Sequence, residues 1–560
     1  MILMRTDKPI LLLVHSDPWA RNRLTQEVLG WSMIGLNVIA AASRREVMDA
    51  IKRSPKAREL IAIVIADGKL IDGDGEQFLL EIKRICPGAS LALLTKSRTE
   101  VSSNTIQRIQ GTSDSIREEI KPLYAAWRPL KPRVVVTGPK DTGDADALTD
   151  FLYRNSVVYD WSDESGRDLT VAVDGRRIRN WTLERLFNAL DIFPRPSSSF
   201  FYHPYDVVII GAGPAGLSAA LSASVNSGFS TLLIESNSPG GTAVTSINPI
   251  DNYLGFPHGI SGTRLAGLAI EQVRDLAQVD FAPMLRAQYI KQDFHGRYRI
   301  GVSNVINNKY TEVSAGMVLL ACGTSPNRLN LKLPRRGVYY AALPCDQQRE
   351  KGKEIVVVGG GNSAAMAVLQ FAEDSDFVYM VAAKGFDRMS QALQDRIWKE
   401  HDAQNIEVIE GWRVQRFVGD PQLTQVKLKS VDDTSQPVRR IKVSSAYILI
   451  GGKPDTKWLH PDSDSQALGA EKVDLNIYGC IKTDHHLRPH RGKLPFETNL
   501  PGVFAAGDVR VNALRRVGQA VGQGAAAIAS METYAAEHSR VLRDLSSPAY
   551  KRFSIIRLVP

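Results

Sequence analysis

Cysteine is scarce in this 560-residue sequence, and no apolar run is long. The cysteines show neither a CxxC pair nor the spacing of a zinc site, so the sequence argues against a disulfide scaffold and predicts no bound metal. The longest apolar runs, Leu60–Ala66 and Phe377–Ala383, have seven residues, whereas a membrane-spanning helix needs about 20. We therefore expect a cytoplasmic protein without a membrane partner. The four cysteines are Cys86, Cys322, Cys345 and Cys480.

A strong excess of one charge is also lacking. The sequence has 69 Lys and Arg against 60 Asp and Glu, a formal net charge of +9. The basic residues are scattered and no aromatic side chains alternate with them, so we expect no nucleic-acid partner. With 44% hydrophobic and 23% charged residues, the composition is that of a globular protein, and the length suffices for about three or four domains.

Residues 1–130 alternate short apolar runs with helical patterns, which predicts a parallel sheet covered on both faces. Asp67 ends one apolar run and is followed by Asp74 and Gly75. The segment resembles a response-regulator receiver domain, and the resemblance implies that Asp67 is a candidate phosphoacceptor. Receivers carry an adjacent acid pair that holds Mg²⁺, but His15 and Ser16 stand there in this chain. A phosphorylatable receiver and a pseudo-receiver used for docking or dimerisation both stay open.

Residues 131–195 have a predicted β-α-β-β-β-α order that resembles a thioredoxin or glutaredoxin fold. The active-site CxxC of that fold would fall near residues 138–143, where the sequence has no cysteine. Thiol–disulfide exchange needs a thiolate, so we expect this domain to act as a spacer or recognition surface. The Pro- and Ser-rich stretch 194–199 then predicts a linker.

A glycine fingerprint follows the apolar run Tyr205–Ile210. In this pattern Gly211 makes a tight turn, Gly213 lets a pyrophosphate approach the backbone, and Gly216 lets the following helix pack on the strand. Glu235 ends the next apolar run, 24 positions after Gly211, where an acid accepts hydrogen bonds from an adenosine ribose. Strand, glycines, helix and acid together predict a dinucleotide site.

A second fingerprint follows the apolar run at Glu354–Val358 and begins at Gly359, 148 positions after Gly211. It continues through Gly361 into a predicted helix and the strand Phe377–Val381. Two such sites in one chain are the architecture of a flavoprotein reductase with one site for FAD and one for a nicotinamide dinucleotide.

Further motifs occur at residues 240–242, 251–257, 319–324 and 504–508. With the two fingerprints, they resemble thioredoxin reductases over about residues 200–540. The resemblance implies a homodimer in which an FAD-binding domain, split into 201–325 and 450–540, encloses an NAD(P)H-binding domain at 333–448, with a tail at 541–560. The expected fold class is α/β and multidomain: a flavodoxin-like receiver domain, a thioredoxin-like domain, then two Rossmann-type three-layer dinucleotide-binding domains.

The resemblance also implies the residues of both cofactor sites. Those for FAD are Gly211, Gly213, Pro214, Ala215, Gly216, Glu235, Gly241, Thr242, Asn252, Gly323, Gly507, Asp508, Arg515, Arg516 and Val517. Those for NADPH or NADH are Gly359, Gly361, Asn362, Ser363, Ala364, Lys384 and Arg388.

The chain departs from thioredoxin reductases at three places. Ala342 replaces the first cysteine of the redox CxxC, which leaves Cys345 as the one candidate catalytic thiol. The His-Arg-Arg that holds the NADPH 2′-phosphate is replaced by Ala382, Ala383 and Lys384, and no acid follows to select a free 2′-hydroxyl, so NADPH, NADH and no productive binding all stay open. Arg516 stands where relatives often carry Gln, and either raises the flavin potential or makes a surface salt bridge.

Three functions follow from these features. The first is an FAD-dependent oxidoreductase that takes hydride from NAD(P)H and passes electrons to an acceptor other than an internal CxxC disulfide, such as a protein docked through the N-terminal domains. The second is a flavin-loaded regulatory or scaffold protein without turnover, whose N-terminal domains bind a signalling partner. The third is a disulfide reductase that combines Cys345 with a partner's cysteine.

Overall fold

The computed structural model describes residues 9–538 except 30–36, 54–57, 59, 96–105, 111–118, 121–122, 124–133, 141, 156, 158, 165–167, 191–203, 247–248, 258, 275, 277, 306, 388, 402–404, 434, 460–470 and 487–493. Arg388, the predicted linker at 194–199 and the predicted tail at 541–560 lie outside these residues. The chain divides into two units: Met1–Leu190 with Asn248–Leu265, and Asp191–Ile247 with Ala266–Pro560.

The first unit begins with a parallel α/β sheet. Its elements are β1 (Ile10–Val14), α1 (Pro18–Leu29), β2 (Asn37–Ala41), α2 (Arg44–Arg53), β3 (Ile61–Asp67), β4 (Lys69–Leu70), β5 (Gly73–Asp74), α3 (Gly75–Ile85), β6 (Ser90–Thr95) and β7 (Ile106–Gln110). The sheet order is β2-β1-β3-β6-β7, with every pair parallel. Apolar side chains on both faces bury β1 and nearly all of β3 between two hydrophobic clusters, as the continuous apolar runs predict.

A smaller mixed sheet follows in the same unit. Its elements are β8 (Val134–Thr137), α4 (Gly143–Arg154), β9 (Tyr159–Ser162), β10 (Thr170–Val173), β11 (Arg176–Ile178) and α5 (Leu183–Leu190). The order is β11-β10-β8-β9, in which β8 and β9 are parallel and β10 is antiparallel to both of its neighbours. The β-α-β-β-β-α succession predicted from the sequence is confirmed.

The second unit opens with the sheet that carries the first glycine fingerprint. Its elements are β12 (Tyr205–Ile210), α6 (Pro214–Ser222), β13 (Thr231–Glu235), α7 (Gly262–Arg274, divided between the units), β14 (Val279–Pro283), β15 (Leu285–Gln292), β16 (Tyr298–Asn304), β17 (Tyr310–Leu320) and β18 (Thr324–Pro326). The order is β14-β13-β12-β17-β16-β15. The helix after the fingerprint begins at Pro214 and continues as a π-helix at Ala223–Ser227.

A second parallel sheet carries the other fingerprint. Its region contains β19 (Val338–Tyr339), α8 (Asp346–Arg349), β20 (Glu354–Val358), α9 (Asn362–Phe371), β21 (Phe377–Ala382), α10 (Gln391–His401), β22 (Ile406–Glu410), β23 (Trp412–Val418), β24 (Gln425–Ser430), β25 (Arg439–Lys442) and β26 (Ser445–Ile448). The order is β19-β26-β20-β21-β22, and β23-β24-β25 form a separate antiparallel sheet.

The chain then returns to the first sheet of this unit. Strand β27 (Gly452–Pro454) pairs with β18, and β28 (Val503–Ala505) pairs with β17. Short 3₁₀ turns occupy Gly241–Thr245, Lys457–Leu459 and Asp484–His486. The last described helix, α11 (Val517–Glu537), packs along α6 through Gly524, where a Cβ would lie 2.1 Å from the Ala215 carbonyl oxygen. None of the helices in the described ranges combines the length and the apolar character that a bilayer crossing requires.

Candidate cofactor sites

The first glycine fingerprint forms a tight turn between β12 and α6. Gly211 has φ +106°, and a Cβ there would lie 2.4 Å from the Ala321 carbonyl oxygen. A Cβ at Gly216 would lie 1.8 Å from the Gly211 carbonyl oxygen, so the helix approaches the turn too closely for any side chain. Gly213 is the N-cap of α6 and makes no side-chain capping bond, which leaves the first N–H groups of the helix aimed at the turn.

Glu235 lies beside this turn at the end of β13. Its Oε2 accepts a hydrogen bond from the Ala212 N–H at 2.8 Å, and its Oε1 accepts one from the Asn237 N–H at 2.8 Å. Burial raises the pKa of the carboxyl, although these backbone bonds act in the opposite direction. Each oxygen keeps a second lone pair, so the carboxylate remains able to accept from a ribose hydroxyl.

Two distant segments close around the same turn. A Cβ at Gly241 would lie 2.9 Å from the Gly213 Cα, and a Cβ at Gly507 would lie 3.0 Å from the Ala215 Cβ. The backbone thus lines the turn with glycines, leaving a cradle that added side chains would fill. Donors at a helix start, a buried acid and this cradle fit the adenosine diphosphate part of FAD. The other predicted residues in these segments are Pro214, Thr242, Gly323 and Asp508.

Asp508 and the basic segment before α11 also meet. Burial raises the pKa of Asp508, and the nearby Arg515 partly offsets that rise. Arg515 has φ +51°, a left-handed backbone conformation that a long side chain rarely adopts. Arg516 is the N-cap of α11 and Val517 its first residue. Strained backbone at the start of a helix is typical of a functional segment.

Two predicted residues belong to the first unit. Asn252 lies in a turn between Ile250 and Ile260, which form an antiparallel bridge. The Asp67 carboxylate ends β3, 3.9 Å from His15 Nε2. The Ser16 hydroxyl accepts the Ile71 N–H at 2.7 Å. His15 and Ser16, which replace the acid pair of a receiver, therefore have side chains that contact other residues of this chain.

The second glycine fingerprint repeats the geometry of the first. Gly359 has φ +153°, and a Cβ there would lie 2.3 Å from the Leu449 carbonyl oxygen. Gly361 caps α9 without a side-chain bond, and a Cβ added to it would have no neighbour within 4 Å. The Asn362 Oδ1 accepts the Ser390 N–H at 2.8 Å, which fixes the start of the helix. This helix start fits the pyrophosphate of a nicotinamide dinucleotide. Beside it, Ser363 is exposed and Ala364 is buried.

An acid that the sequence analysis missed lies next to this fingerprint. A Cβ at Gly360 would lie 2.2 Å from the Gly385 carbonyl oxygen, and a Cβ at Gly385 would lie 3.5 Å from Glu410 Oε2. Glu410 ends β22, directly opposite Ala382 at the end of β21. A dinucleotide fingerprint places its acid directly after the second strand, whereas this acid follows the next strand along the chain, so local spacing did not predict it. The sequence shows only that Glu410 ends the strand that begins at Ile406 and precedes a glycine.

The surviving cysteine stands at the edge of a buried ionic cluster. Cys345 is the N-cap of α8, and its Sγ lies 3.8 Å from Asp346 Oδ1. The Asp346 carboxylate accepts the Leu343 N–H at 2.9 Å and an Arg349 N–H at 2.6 Å. Glu350 is fully buried and accepts the Tyr447 hydroxyl at 2.8 Å.

None of the cysteines forms a disulfide. Burial raises the pKa of the Cys86 thiol to about 11 and that of the Cys322 thiol to about 12. Burial also raises the pKa of Cys480, although Arg515 acts against this. These three thiols therefore stay protonated at neutral pH and are poor nucleophiles.

Comparisons with known proteins agree with this geometry. Residues 205–524 match the family described as pyridine nucleotide-disulphide oxidoreductase. The chain is 33% identical over 351 residues to a thioredoxin reductase of Listeria innocua, covering 60% of this chain and 96% of the relative. It is 26% identical over 346 residues to an NADH dehydrogenase of Ferdinandcohnia aciditolerans, covering 62% of this chain and 60% of the relative. A crystal structure of Lactococcus lactis thioredoxin reductase is 29% identical, with a TM-score of 0.50 over 60% of this chain and 99% of that one.

Proposed function

The chain belongs to the pyridine nucleotide-disulphide oxidoreductase family, and we propose that it passes electrons from NADH or NADPH, through FAD, to an acceptor other than an internal disulfide. FAD and a nicotinamide dinucleotide are the cofactors of this enzyme. When bound, they supply hydride transfer and a store for two electrons. The chain's own residues bind and orient both: the glycine turns and helix starts hold the phosphates, and Glu235 holds a ribose.

The observation that carries this proposal is the environment of Cys345. Ala342 stands where the first cysteine would be, and its methyl group is buried. Asp346, the acidic neighbour of the thiol, accepts hydrogen bonds from the Leu343 N–H and from Arg349 as well as lying 3.8 Å from the sulfur. An internal dithiol cycle lacks a second thiol, which supports an external acceptor.

Anaerobic addition of NADH or NADPH to the purified yellow protein tests the proposal. We expect the flavin absorbance to bleach, and to bleach at the same rate in a Cys345→Ser variant. Cys480→Ser is the matched control because Cys480 is another partly buried free thiol. Oxygen or a quinone should then restore the colour in all three proteins. If disulfide reduction supports turnover and fails in Cys345→Ser alone, the external-acceptor proposal is wrong and a partner-cysteine mechanism replaces it.

A flavin-loaded regulatory protein is the second candidate function. It is favoured by His15 and Ser16, which contact the chain itself where a receiver holds metal, and by the cysteine-free 131–195 segment. In that case neither dinucleotide would bleach the flavin, although the protein would still be yellow. For either function we propose a homodimer, which the resemblance implies.

We also expect this enzyme to prefer the unphosphorylated dinucleotide. Ala382 and Ala383 offer no guanidinium to a 2′-phosphate, and the Glu410 carboxylate lies against the same loop, where it would accept a free 2′-hydroxyl and repel a phosphate. Calorimetric titration with ADP-ribose and with its 2′-phosphate should show tighter binding of ADP-ribose. The ratio of the two dissociation constants should fall about fivefold in Glu410→Gln, which corresponds to roughly 1 kcal/mol.

Glu354→Gln is the matched control, since Glu354 lies at the opposite end of the same sheet and loses the same charge. The phosphorylated probe binding as tightly as ADP-ribose in the wild type would contradict the assignment of Glu410. That result leaves the proposed electron transfer intact, since flavin bleaching is measured independently of the choice of dinucleotide.

A further inference from the structure

The small antiparallel sheet β23-β24-β25 has two faces of opposite character. One face is buried and apolar and packs on the dinucleotide sheet through Val414, Phe417, Val426, Leu428 and Ile441. The other face, called the basic face here, points to solvent and carries Arg413, Arg416, Lys427, Lys429, Arg440 and Lys442, with the half-buried Val418 and Gln425 in the same row as Lys442. The basic residues are scattered along the sequence, but the strand register collects six of them on one face of this sheet.

Like charges stand directly opposite each other on the basic face. Arg413 is the cross-strand partner of Lys429, and Lys427 is flanked by Arg416 on one side and Arg440 on the other. Side chains in such positions have Cβ atoms about 4.5–5.5 Å apart, and opposed like charges weaken the sheet. The stability of the sheet therefore does not explain why cations occupy facing positions on it.

Carboxylates do not neutralise the basic face. Among the described residues, no acidic side chain forms an ion pair with any of its six cations. The neighbouring Arg439, by contrast, forms an ion pair with Glu407 of β22 in the dinucleotide sheet. Six positive charges without an ion pair among the described residues, gathered on one small surface, produce a field that attracts anions over about 8–10 Å at physiological salt.

We propose that the basic face docks a partner protein that presents an acidic helix. Three strands about 4.8 Å apart form a face about 10 Å wide, which is the diameter of one α-helix. Carboxylates at positions i and i+4 of a helix are about 5–6 Å apart, a spacing that matches the cross-strand cation pairs. Such charge complementarity mainly steers and orients association. This inference does not depend on which acceptor the enzyme uses.

Two other polyanions fit the basic face less well. Single-stranded nucleic acid is held by aromatic side chains that stack on bases, but the six positions include no aromatic residue and Trp412 packs against the apolar cluster beneath. Stable membrane anchoring adds a set of apolar side chains to the basic ones, and the only apolar residue among the outward positions of these three strands is the half-buried Val418. An acidic protein surface needs neither feature.

The test compares two double variants of the full-length protein. In Lys427→Glu/Lys429→Glu, each new carboxylate faces an arginine across the strands, so the variant replaces repulsion with attraction and should melt no lower than the wild type. Arg286→Glu/Lys351→Glu is the matched control, because it changes the net charge equally at two exposed residues outside the basic face.

The probe is a fluorescent 20-residue helical peptide with Glu at every fourth position, titrated by anisotropy at physiological salt. We expect Lys427→Glu/Lys429→Glu to weaken binding at least tenfold and the control less than twofold. Equal weakening in the two variants would overturn the proposal, because only net charge would then matter. Tighter binding of a 20-nucleotide oligothymidylate, a DNA duplex or phosphatidylserine vesicles than of the peptide would also overturn it, in favour of nucleic acid or membrane.

Discussion

The protein with Gly216→Ala is expected to be purified colourless. The added methyl carbon would lie 1.8 Å from the Gly211 carbonyl oxygen and 2.9 Å from its carbon, both of which are backbone atoms. The start of α6 must therefore move away from the β12 turn, which separates the donors that hold the FAD pyrophosphate. We expect bound FAD, measured as the ratio of flavin to protein absorbance, to fall below about a tenth of the wild-type value, with about 1–3 kcal/mol of stability lost to overpacking.

Gly522→Ala is the control for this substitution. Gly522 lies inside α11, and a Cβ there meets no atom within 4 Å, so the same added carbon fits without movement. Alanine is the better helix former by about 0.5–1 kcal/mol, so this variant should keep its flavin and unfold at a slightly higher temperature. Full retention of FAD in Gly216→Ala would show that the turn does not hold the cofactor.

The sequence alone predicts those parts of the cofactor site that are built by consecutive elements of the chain. The fingerprint at Gly211 and its acid at Glu235 can be found from local spacing, because a strand, a turn and a helix that follow one another in sequence build the whole site. The need for glycine at position 216 can also be predicted, because this residue stands three positions after Gly213 in the fingerprint. Most strands and helices were predictable for the same reason, since apolar periodicity is a local signal.

What the sequence does not predict depends on neighbours that are distant in sequence. Glu410 acquires a role only because β22 lies beside β21, which places its carboxylate at the loop after Ala382. The basic face exists only because the register sets Lys427 between Arg416 and Arg440. Strand order and register are set by the packing of the whole domain, so single-sequence patterns carry little information about them.

The buried ionic cluster next to Cys345 is a third such feature, and it leads to the largest expected effect on stability. Arg349 bonds to Asp346 at 2.6 Å and to Glu350 at 3.3 Å, and its guanidinium lies over the Tyr339 ring, 4.2 Å from the centroid. Burial alone would lower the pKa of Arg349, but the Asp346 carboxylate outweighs it and raises this pKa above its usual value. The arginine therefore stays charged and contacts two carboxylates that have almost no exposure to water, and Lys353 Nζ lies 4.0 Å from the second of them, Glu350.

Arg349→Leu should destabilise the protein by about 3–5 kcal/mol, because it removes the guanidinium that both buried carboxylates contact and leaves Lys353, whose Nζ is 4.0 Å from Glu350 Oε2, at the edge of the cluster. Burial disfavours a charged carboxylate that has lost its guanidinium, so the deficit should be smallest in mild acid, where carboxyl groups take up protons, and should grow as the pH rises. Urea unfolding of the wild type and the variant at several pH values measures both effects.

The neutral triple variant Asp346→Asn/Arg349→Met/Glu350→Gln separates charge from packing. It removes all three charges at similar volume, so it should recover most of the stability that Arg349→Leu loses. Because Asp346 would then be an amide unable to carry a proton, the same protein also tests the external-acceptor proposal. Flavin bleaching by NADH or NADPH should persist in it at the wild-type rate. A stable triple variant whose flavin no longer bleaches would instead make Asp346 part of the turnover.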